Sequence, residues 1–468
     1  MMSSPLSGTA NVPPARSSDH VDSAQGTTLR RVLRLPSLVF FGLVYMVPLT
    51  VFTTYGVVSA NTGGRTSLAY IVTLVAMIFT ALSYAAMVKV YPVAGSAYAY
   101  ASKSFGPSIG FLAGWALLLD YVLLPLVNYL VIGIYLNILF PVVPAWVFVV
   151  ACILLVAVLN IVEIASVARA SNIIVLVQFI FIAVFVAIAV AFISSGGHSI
   201  DLAAPFVGDG GKNVTFPALM TGAAVLCLSY LGFDAISTLA EEAKNPKRDI
   251  PRPIIIATVW AGLLFLVLAF ISQLVFPGTA FKDPVSAASE VMAKAGGDFL
   301  NIFFIAAYVP GATGSAIASQ ASVSRIMYSM GRDGILPRRI FGTLSARFKT
   351  PVISILVISV ISIIGVNANV DLLFSVVSFG ALAAFSVVNL SVIKRYLRDE
   401  KRRSGRDVSL YGVLPGVGFL LTIWIWTSLT ASAFTIGLVW LGGGFVYLLF
   451  MTKGFRKKAP EVEFSDSL

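Results

Sequence analysis

"CLSYLGFDAISTLAEE", residues 227–242, decides how this chain is read. An apolar run begins ahead of it at Phe216 and is long enough to form a helix across a bilayer. Gly232, Phe233 and a bare Asp234 fall in the middle of that run, and Glu241 and Glu242 close it. The pattern predicts a helix that breaks at Gly232 with a carboxylate beside the break. Non-helical backbone at membrane depth persists only where it is buried in protein or lines a cavity, so the break itself marks a candidate site.

The whole chain is of the same kind. Of its 468 residues, 58% are hydrophobic and only 11% are charged, and the mean hydropathy is +0.92. A soluble domain carries about 25% charged residues, so there is too little polar surface here to coat a water-soluble particle. The net charge of +11 is read as the excess of Lys and Arg that membrane proteins keep in cytoplasmic loops, not as a nucleic-acid surface. Cys152 and Cys227 lie inside apolar runs and read as small buried hydrophobes. His20 falls in a polar tail and His198 in a loop, so no metal-ligand spacing is present and neither a metal nor a cofactor is expected.

Residues 1–34 are rich in Ser, Pro, Thr and Ala in their first part and carry no apolar signal core; they are expected to form a disordered cytoplasmic tail. About twelve spans follow, near 37–60, 66–90, 107–140, 144–162, 168–194, 216–242, 254–277, 299–330, 351–369, 371–395, 412–431 and 433–452. Residues 453–468 form a second cytoplasmic tail. The third and eighth spans are long enough to tilt or to extend past the bilayer. Only residues 367–371 divide the ninth from the tenth. With both termini cytoplasmic, all of the 32 Lys and Arg fall on the inside except Arg65, Lys212, Lys282 and Lys294. An asymmetry of that size supports both the span count and the direction.

Few ionisable residues remain at membrane depth. Asp120 lies in the third span, in "GWALLLDYVLLPLVNYL", and Asp234 at the break in the sixth. A carboxylate there costs several kcal/mol, on the order of 3, unless it is paired, protonated or hydrated. Each therefore reads as a proton carrier or pathway group, or else as a structural carboxylate; for Asp234 the structural role would be capping the second half-helix. Glu241 is seven residues past Asp234 and on the same helical face, but near the interface, where it and Glu242 read as a solvated end or a gate salt bridge.

A second break matches the first. Pro48 interrupts the first span, in "VYMVPLTVFTTYG", removing an amide and opening the helix ladder. Two interrupted helices, each the first of a five-span half, point to a transporter built on an inverted repeat. The half-helix ends would offer free amides and carbonyls to a small polar ligand.

The motifs carry the reading further. "YPVAGSAYAYASKSFGPSIGFLAGWALLLDY" (91–121), "LGFDAISTLAEEAKNPKRDIPRPI" (231–254) and "ASVSRIMYSMGRDGILPRRIFG" (321–342), with Thr350 and Pro351, resemble the amino acid–polyamine–organocation permeases, in order over roughly residues 35–450. The resemblance implies an all-α polytopic membrane protein of the leucine-transporter type, two inverted five-helix repeats plus two helices, with helices 1 and 6 interrupted. It implies secondary active transport. Consistent with that, no phosphate-binding G-x-x-x-x-G-K-[ST] loop is present; "GDGGK" at 208–212 lacks the spacing. Within the family the phrases "GLVYMVPLTVF", "LLDYVLLPLVN", "GFDAISTLAEE" and "FGALAAFSVVNLSV" are most similar to bacterial putrescine importers.

That resemblance carries a substrate site onto Tyr45, Val47, Pro48, Leu49 and Thr50 in the first helix. It adds Asp120, Leu124 and Asn128 in the third and Ser229, Tyr230, Gly232, Phe233 and Asp234 in the sixth. Tyr45, Tyr230 and Phe233 would give cation–π contacts of about 0.5–2 kcal/mol each to an ammonium. Asp120 or Asp234 would give the counter-charge and carry the proton. Three departures matter. Pro48 and Thr50 stand where amino acid permeases often have a Gly-x-Gly signature, so one amide donor is gone and a carboxylate is held less well. Thr53 stands where putrescine importers carry an Asp. Gln178, in "NIIVLVQFIF", stands where many proton-coupled relatives have a Lys, which leaves Asp234 and Asp120 as the proton candidates.

The expectation is a cytoplasmic-membrane importer of a small organic amine, putrescine first, by cation symport. The alternative is a permease for a neutral or cationic amino acid. The expected partners are an amine or amino acid, a proton or sodium as coupling ion, and membrane lipid. Nucleic acid is not among them, and neither enzymatic chemistry nor a channel is expected. The basic stretch 394–406 is expected to face anionic headgroups or to make a regulatory contact.

Overall fold

The computed structural model describes residues 35–93, 96–162, 167–195, 201–208, 215–240, 243–332 and 334–456. Residues 1–34, Glu241 and Glu242 lie outside them, as does the tail from Lys457 onward. Long apolar runs become helices because helix is the conformation that satisfies every backbone polar group within one segment. The helices are α1 (Leu35–Met46), α2 (Thr50–Thr62), α3 (Thr66–Val90), α4 (Ser96–Phe105), α5 (Pro107–Leu139), α6 (Ala145–Val162) and α7 (Val167–Ser194). There follow α8 (Phe216–Tyr230), α9 (Pro251–Val275), α10 (Ala287–Arg332), α11 (Val352–Ile364), α12 (Val370–Ile393), α13 (Leu414–Thr427) and α14 (Ala431–Met451). No β-strand occurs among the described residues. The protein is an all-α polytopic membrane protein.

Among the described residues, ten helical segments are long and apolar enough to cross a membrane, and α1 with α2, bent by 44°, make an eleventh. The ninth expected span is the shorter apolar helix Val352–Asn367. Its boundary with the tenth is set by Asn369, whose side chain accepts a hydrogen bond from the Leu372 amide at 2.9 Å and so caps α12. The eighth expected span begins where Gly296 and Gly297 (φ 64°) break α10. α6, α7, α9, α11, α13 and α14 turn residues such as Leu155, Leu176, Leu263, Leu356, Leu420 and Val439 outward. α2, α5, α8 and α12 are largely enclosed, and the core lies among them.

Both expected breaks are present. Between α1 and α2 the chain passes through Val47, Pro48 and Leu49, and Val47 takes φ 49°. That conformation is costly for a β-branched residue and is held by bonds on either side. The Thr50 amide donates to the Val47 carbonyl at 2.8 Å, and Thr50 Oγ1 donates to the Met46 carbonyl at 2.9 Å. In the sixth span α8 ends at Tyr230, Gly232 takes φ 132°, and a short 3-10 helix resumes at Ala235–Leu239. α1 packs against that 3-10 helix and α2 packs against α8, so the two broken spans run side by side with their breaks level.

Candidate functional site

A small cavity of about 20 Å³ lies at the level of the two breaks. It has room for about one water. Tyr45, Met46 and Val47 line it from the first break, with Thr50 and Thr53 from α2. Leu124, Val127, Asn128 and Val131 face it from α5 at spacings of three and four, one face of a helix. Leu228 and Leu231 come from the sixth span, Tyr308 and Ser315 from α10, and Phe374 from α12. None of these side chains is charged.

Polar groups at the cavity link α5, α10 and the end of α1, and others bond within α2. Asn128 Nδ2 donates to the Leu124 carbonyl and to Ser315 Oγ, each at 3.2 Å. Ser315 Oγ donates to the Tyr45 carbonyl at 3.3 Å, one of the carbonyls that the end of α1 leaves without a helical partner. Thr53 Oγ1 donates to the Thr50 carbonyl at 2.9 Å. The Tyr308 ring stacks on Phe304 and meets Tyr135 edge-on. Pro125 and Pro310 sit inside α5 and α10, and each deprives the carbonyl four residues earlier of its donor.

The two carboxylates lie beside the cavity and outside its lining. Asp234 is buried; its Oδ1 accepts from the Gly232 amide at 3.1 Å and its Oδ2 from the Tyr121 hydroxyl at 3.2 Å. It makes no capping bond to the 3-10 helix that follows, so the capping role weighed for it from sequence is not the one seen. Asp120 is also buried, and its Oδ1 has no hydrogen-bond partner among the described residues. It is one turn before Leu124 on the cavity face of α5.

The structure brings together Tyr45, Val47, Thr50, Leu124 and Asn128 of the site expected from sequence, and adds Thr53. Pro48 and Leu49 are buried in the linker behind Val47. Ser229 turns to α3, 3.4 Å from the Tyr70 hydroxyl. Tyr230 packs edge-on against Phe265 of α9, and Phe233 lies between Tyr84 and Phe385. Of the three aromatic rings expected around an ammonium, only Tyr45 reaches the cavity. Tyr308, Ser315 and Phe374 were not read from the sequence; Pro310 and Gly311 in "AAYVPGATGSA" are the signal that α10 also has an irregular turn there.

Gln178 sits at the back of the first break. It is 1% exposed, and its Nε2 would lie 1.6 Å from a Cβ placed on Gly311, with Val47 Cγ1 3.6 Å from the same point. The bare Gly311 is what admits this side chain between α7, α10 and the linker.

Comparison with known proteins agrees with this architecture. A family model described as amino acid permease matches residues 37–451. The low-affinity putrescine importer PlaP of Escherichia coli is 38% identical over 439 residues, covering 93% of this chain and 96% of that protein. The branched-chain amino acid permease BcaP of Bacillus subtilis is 27% identical, covering 91% and 94%. The methylthioribose transporter of Bacillus subtilis is 26% identical, covering 92% and 95%.

Proposed function

This chain belongs to the amino acid permease family, and we propose that it imports a small linear amine, putrescine first, across the cytoplasmic membrane by proton symport. It is a transporter of amines or amino acids; the choice of an amine rests on one observation. Most backbone amides at the two breaks are already engaged within the chain, those of Leu49 and Val51 excepted. Val47 donates to Val44, Thr50 to Val47, Leu231 to Leu228 and Phe233 to Tyr230, Gly232 donates to Asp234, and Pro48 has no amide. A substrate carboxylate would find few free amides there without displacing these bonds. An ammonium needs acceptors instead, and the Tyr45 carbonyl, Asn128, Ser315 and the α2 threonines offer oxygen atoms at the cavity. The similarity to the Escherichia coli putrescine importer supports the same reading.

In this proposal residues 35–452 form one permease domain with both tails cytoplasmic, as the distribution of Lys and Arg supports. Substrate enters from outside and is held between the breaks. Asp234 takes up the proton, with Asp120 beside it. Two carboxylates in one buried region do not both stay ionised without a cation, so arrival of an ammonium and loss of a proton are linked. Asp120, with an unpartnered oxygen one turn below the cavity, is the carboxylate an expanded site would reach first.

The uncharged lining favours a second reading, a permease for a neutral amino acid. Uptake of radiolabelled putrescine into proteoliposomes, with and without an inward proton gradient and with unlabelled amino acids as competitors, separates the two. Saturable, gradient-stimulated putrescine uptake is the expected result. Transport of one amino acid with no putrescine uptake would overturn it.

A further inference from the structure

The hairpin between α12 and α13 is built in a way that a solvated loop does not require. It leaves α12 through a π-helical turn, Lys394–Asp399, and enters α13 through another, Ser409–Val413. Tyr396 and Tyr411, one from each turn, stack with centroids 3.9 Å apart and planes within 3°. The Arg402 guanidinium lies over both rings, at 5.0 and 5.8 Å. The Tyr396 hydroxyl donates to the Ala86 carbonyl at 3.1 Å, which fixes the hairpin to the end of α3.

Two of the three acids of the hairpin are ion-paired inside it, and the third is held by a serine. Asp399 pairs with Lys394 at 3.1 Å, and Glu400 pairs with Arg395 at 3.1 Å and Arg402 at 2.7 Å. Asp407 accepts from Ser404 Oγ at 2.7 Å. Arg398, Lys401, Arg403 and Arg406 are left exposed, and none of the four has an ion-pair partner among the described residues. Lys401 is presented at the reversal with φ 54°. Directly after these cations, Val408, Leu410 and Val413 are 41%, 41% and 56% exposed.

Four exposed cations against the single unpaired acid Asp407 leave the tip with a net positive charge that attracts anions. Three exposed aliphatic side chains beside them are costly in water and suited to the acyl boundary. The two features together, on a rigid hairpin that is continuous with two membrane spans, match the two parts of one molecule. We infer that this hairpin is a binding site for an anionic phospholipid, its phosphate held by Arg398, Lys401, Arg403 and Arg406 and its chains against Val408, Leu410 and Val413. A soluble acidic partner would use the charges and leave the aliphatic residues wet. The inference is independent of the transported substrate.

The test is native mass spectrometry of the full chain in detergent, titrated with phosphatidylglycerol or phosphatidylcholine. The wild type should retain phosphatidylglycerol over phosphatidylcholine by about tenfold or more. The combined change Arg398→Gln, Lys401→Gln, Arg403→Gln and Arg406→Gln should remove that preference. A control with Arg338→Gln, Arg339→Gln, Arg347→Gln and Lys349→Gln, which neutralises as many charges in another loop, should keep it. Thermal unfolding in phosphatidylcholine micelles should be alike for all three proteins. Equal retention of the two lipids by the wild type, the same loss in the control, or displacement of the lipid by millimolar inorganic phosphate would each overturn the inference. The wild-type comparison stands alone if the fourfold variant fails to fold.

Discussion

Gly232 and Met46 meet backbone to backbone. A Cβ placed on Gly232 would lie 3.1 Å from the Met46 amide nitrogen and 3.0 Å from Tyr45 Cδ1. Two helices 186 positions apart in sequence are therefore interrupted at the same point in space, and each interruption makes room for the other. Gly232 is needed twice over, because its φ of 132° is also one that side chains rarely adopt.

Gly232→Ala should cost stability and function together. The strained backbone alone amounts to about 1–3 kcal/mol, and the contact with Met46 adds to it. We expect a lower unfolding temperature in detergent and at least a tenfold fall in uptake. Wild-type unfolding and uptake in this variant would mean that the breaks separate during transport and that their contact here is incidental.

The carboxylate beside that glycine gives the next prediction. Asparagine in place of Asp234 keeps an oxygen that can accept from the Gly232 amide, so Asp234→Asn should fold. It cannot carry a proton. Uptake by the variant should no longer rise with an inward proton gradient, while exchange of external for internal substrate continues. Tyr121→Phe, which removes only the 3.2 Å bond to Asp234, should weaken the gradient response without abolishing it. Full gradient stimulation in Asp234→Asn would move the proton elsewhere, with Asp120→Asn the next variant to measure.

Behind the first break, Gly311 and Gln178 should behave as a pair. Gly311→Ala forces the Gln178 carboxamide out of a fully enclosed place, an overpacking change of about 1–3 kcal/mol. Gln178→Ala leaves its own space empty. Combining the two exchanges one side chain for another, so the double variant should unfold closer to the wild type than Gly311→Ala does. A double-mutant cycle on unfolding temperature measures this coupling; strictly additive effects would show that Gln178 does not brace the linker.

The polar network has a smaller and more local role. Ser315→Ala removes the bond to the Tyr45 carbonyl and the acceptor for Asn128. Each such bond contributes about 1 kcal/mol, so KM for the transported amine should rise roughly fivefold or more with maximal rate less affected. An unchanged KM would place the substrate away from Ser315.

The spans and both breaks were legible in the sequence because their signals are one-dimensional. Length, hydropathy, charge bias, Pro48 and the Gly232–Asp234 interruption do not depend on which way a side chain points. Facing residues were not legible. A helix enclosed all round has no solvent-facing polar side to orient it, so the sequence does not say that Leu228 and Leu231 reach the cavity while Ser229 and Tyr230 turn to α3 and α9. The sequence-polar residues drew attention and the aliphatic neighbours line the space. Tyr308 and Ser315 escaped notice for a related reason: they are seven residues apart, on one face, in a stretch of helix marked by Pro310 and Gly311 alone.

Thr53 offers the sharpest test of what the cavity selects. It is the position where the resemblance to putrescine importers expects an Asp, and it lines a cavity that has no charge of its own. Thr53→Asp would place an anion within reach of a bound ammonium, where desolvation makes the attraction stronger than in water. Without a cation that same anion is unpaired and buried, so the variant should unfold at a lower temperature than the wild type. Added putrescine should restore more of that loss than added leucine does, because a ligand that binds only the folded state stabilises it in proportion to its affinity. The expected transport result is about a tenfold gain in preference for putrescine over a neutral amino acid, near 1.4 kcal/mol. If preference does not change, selection of the amine depends on Asp120 and Asp234 alone, and the uncharged cavity serves only to fit the carbon chain.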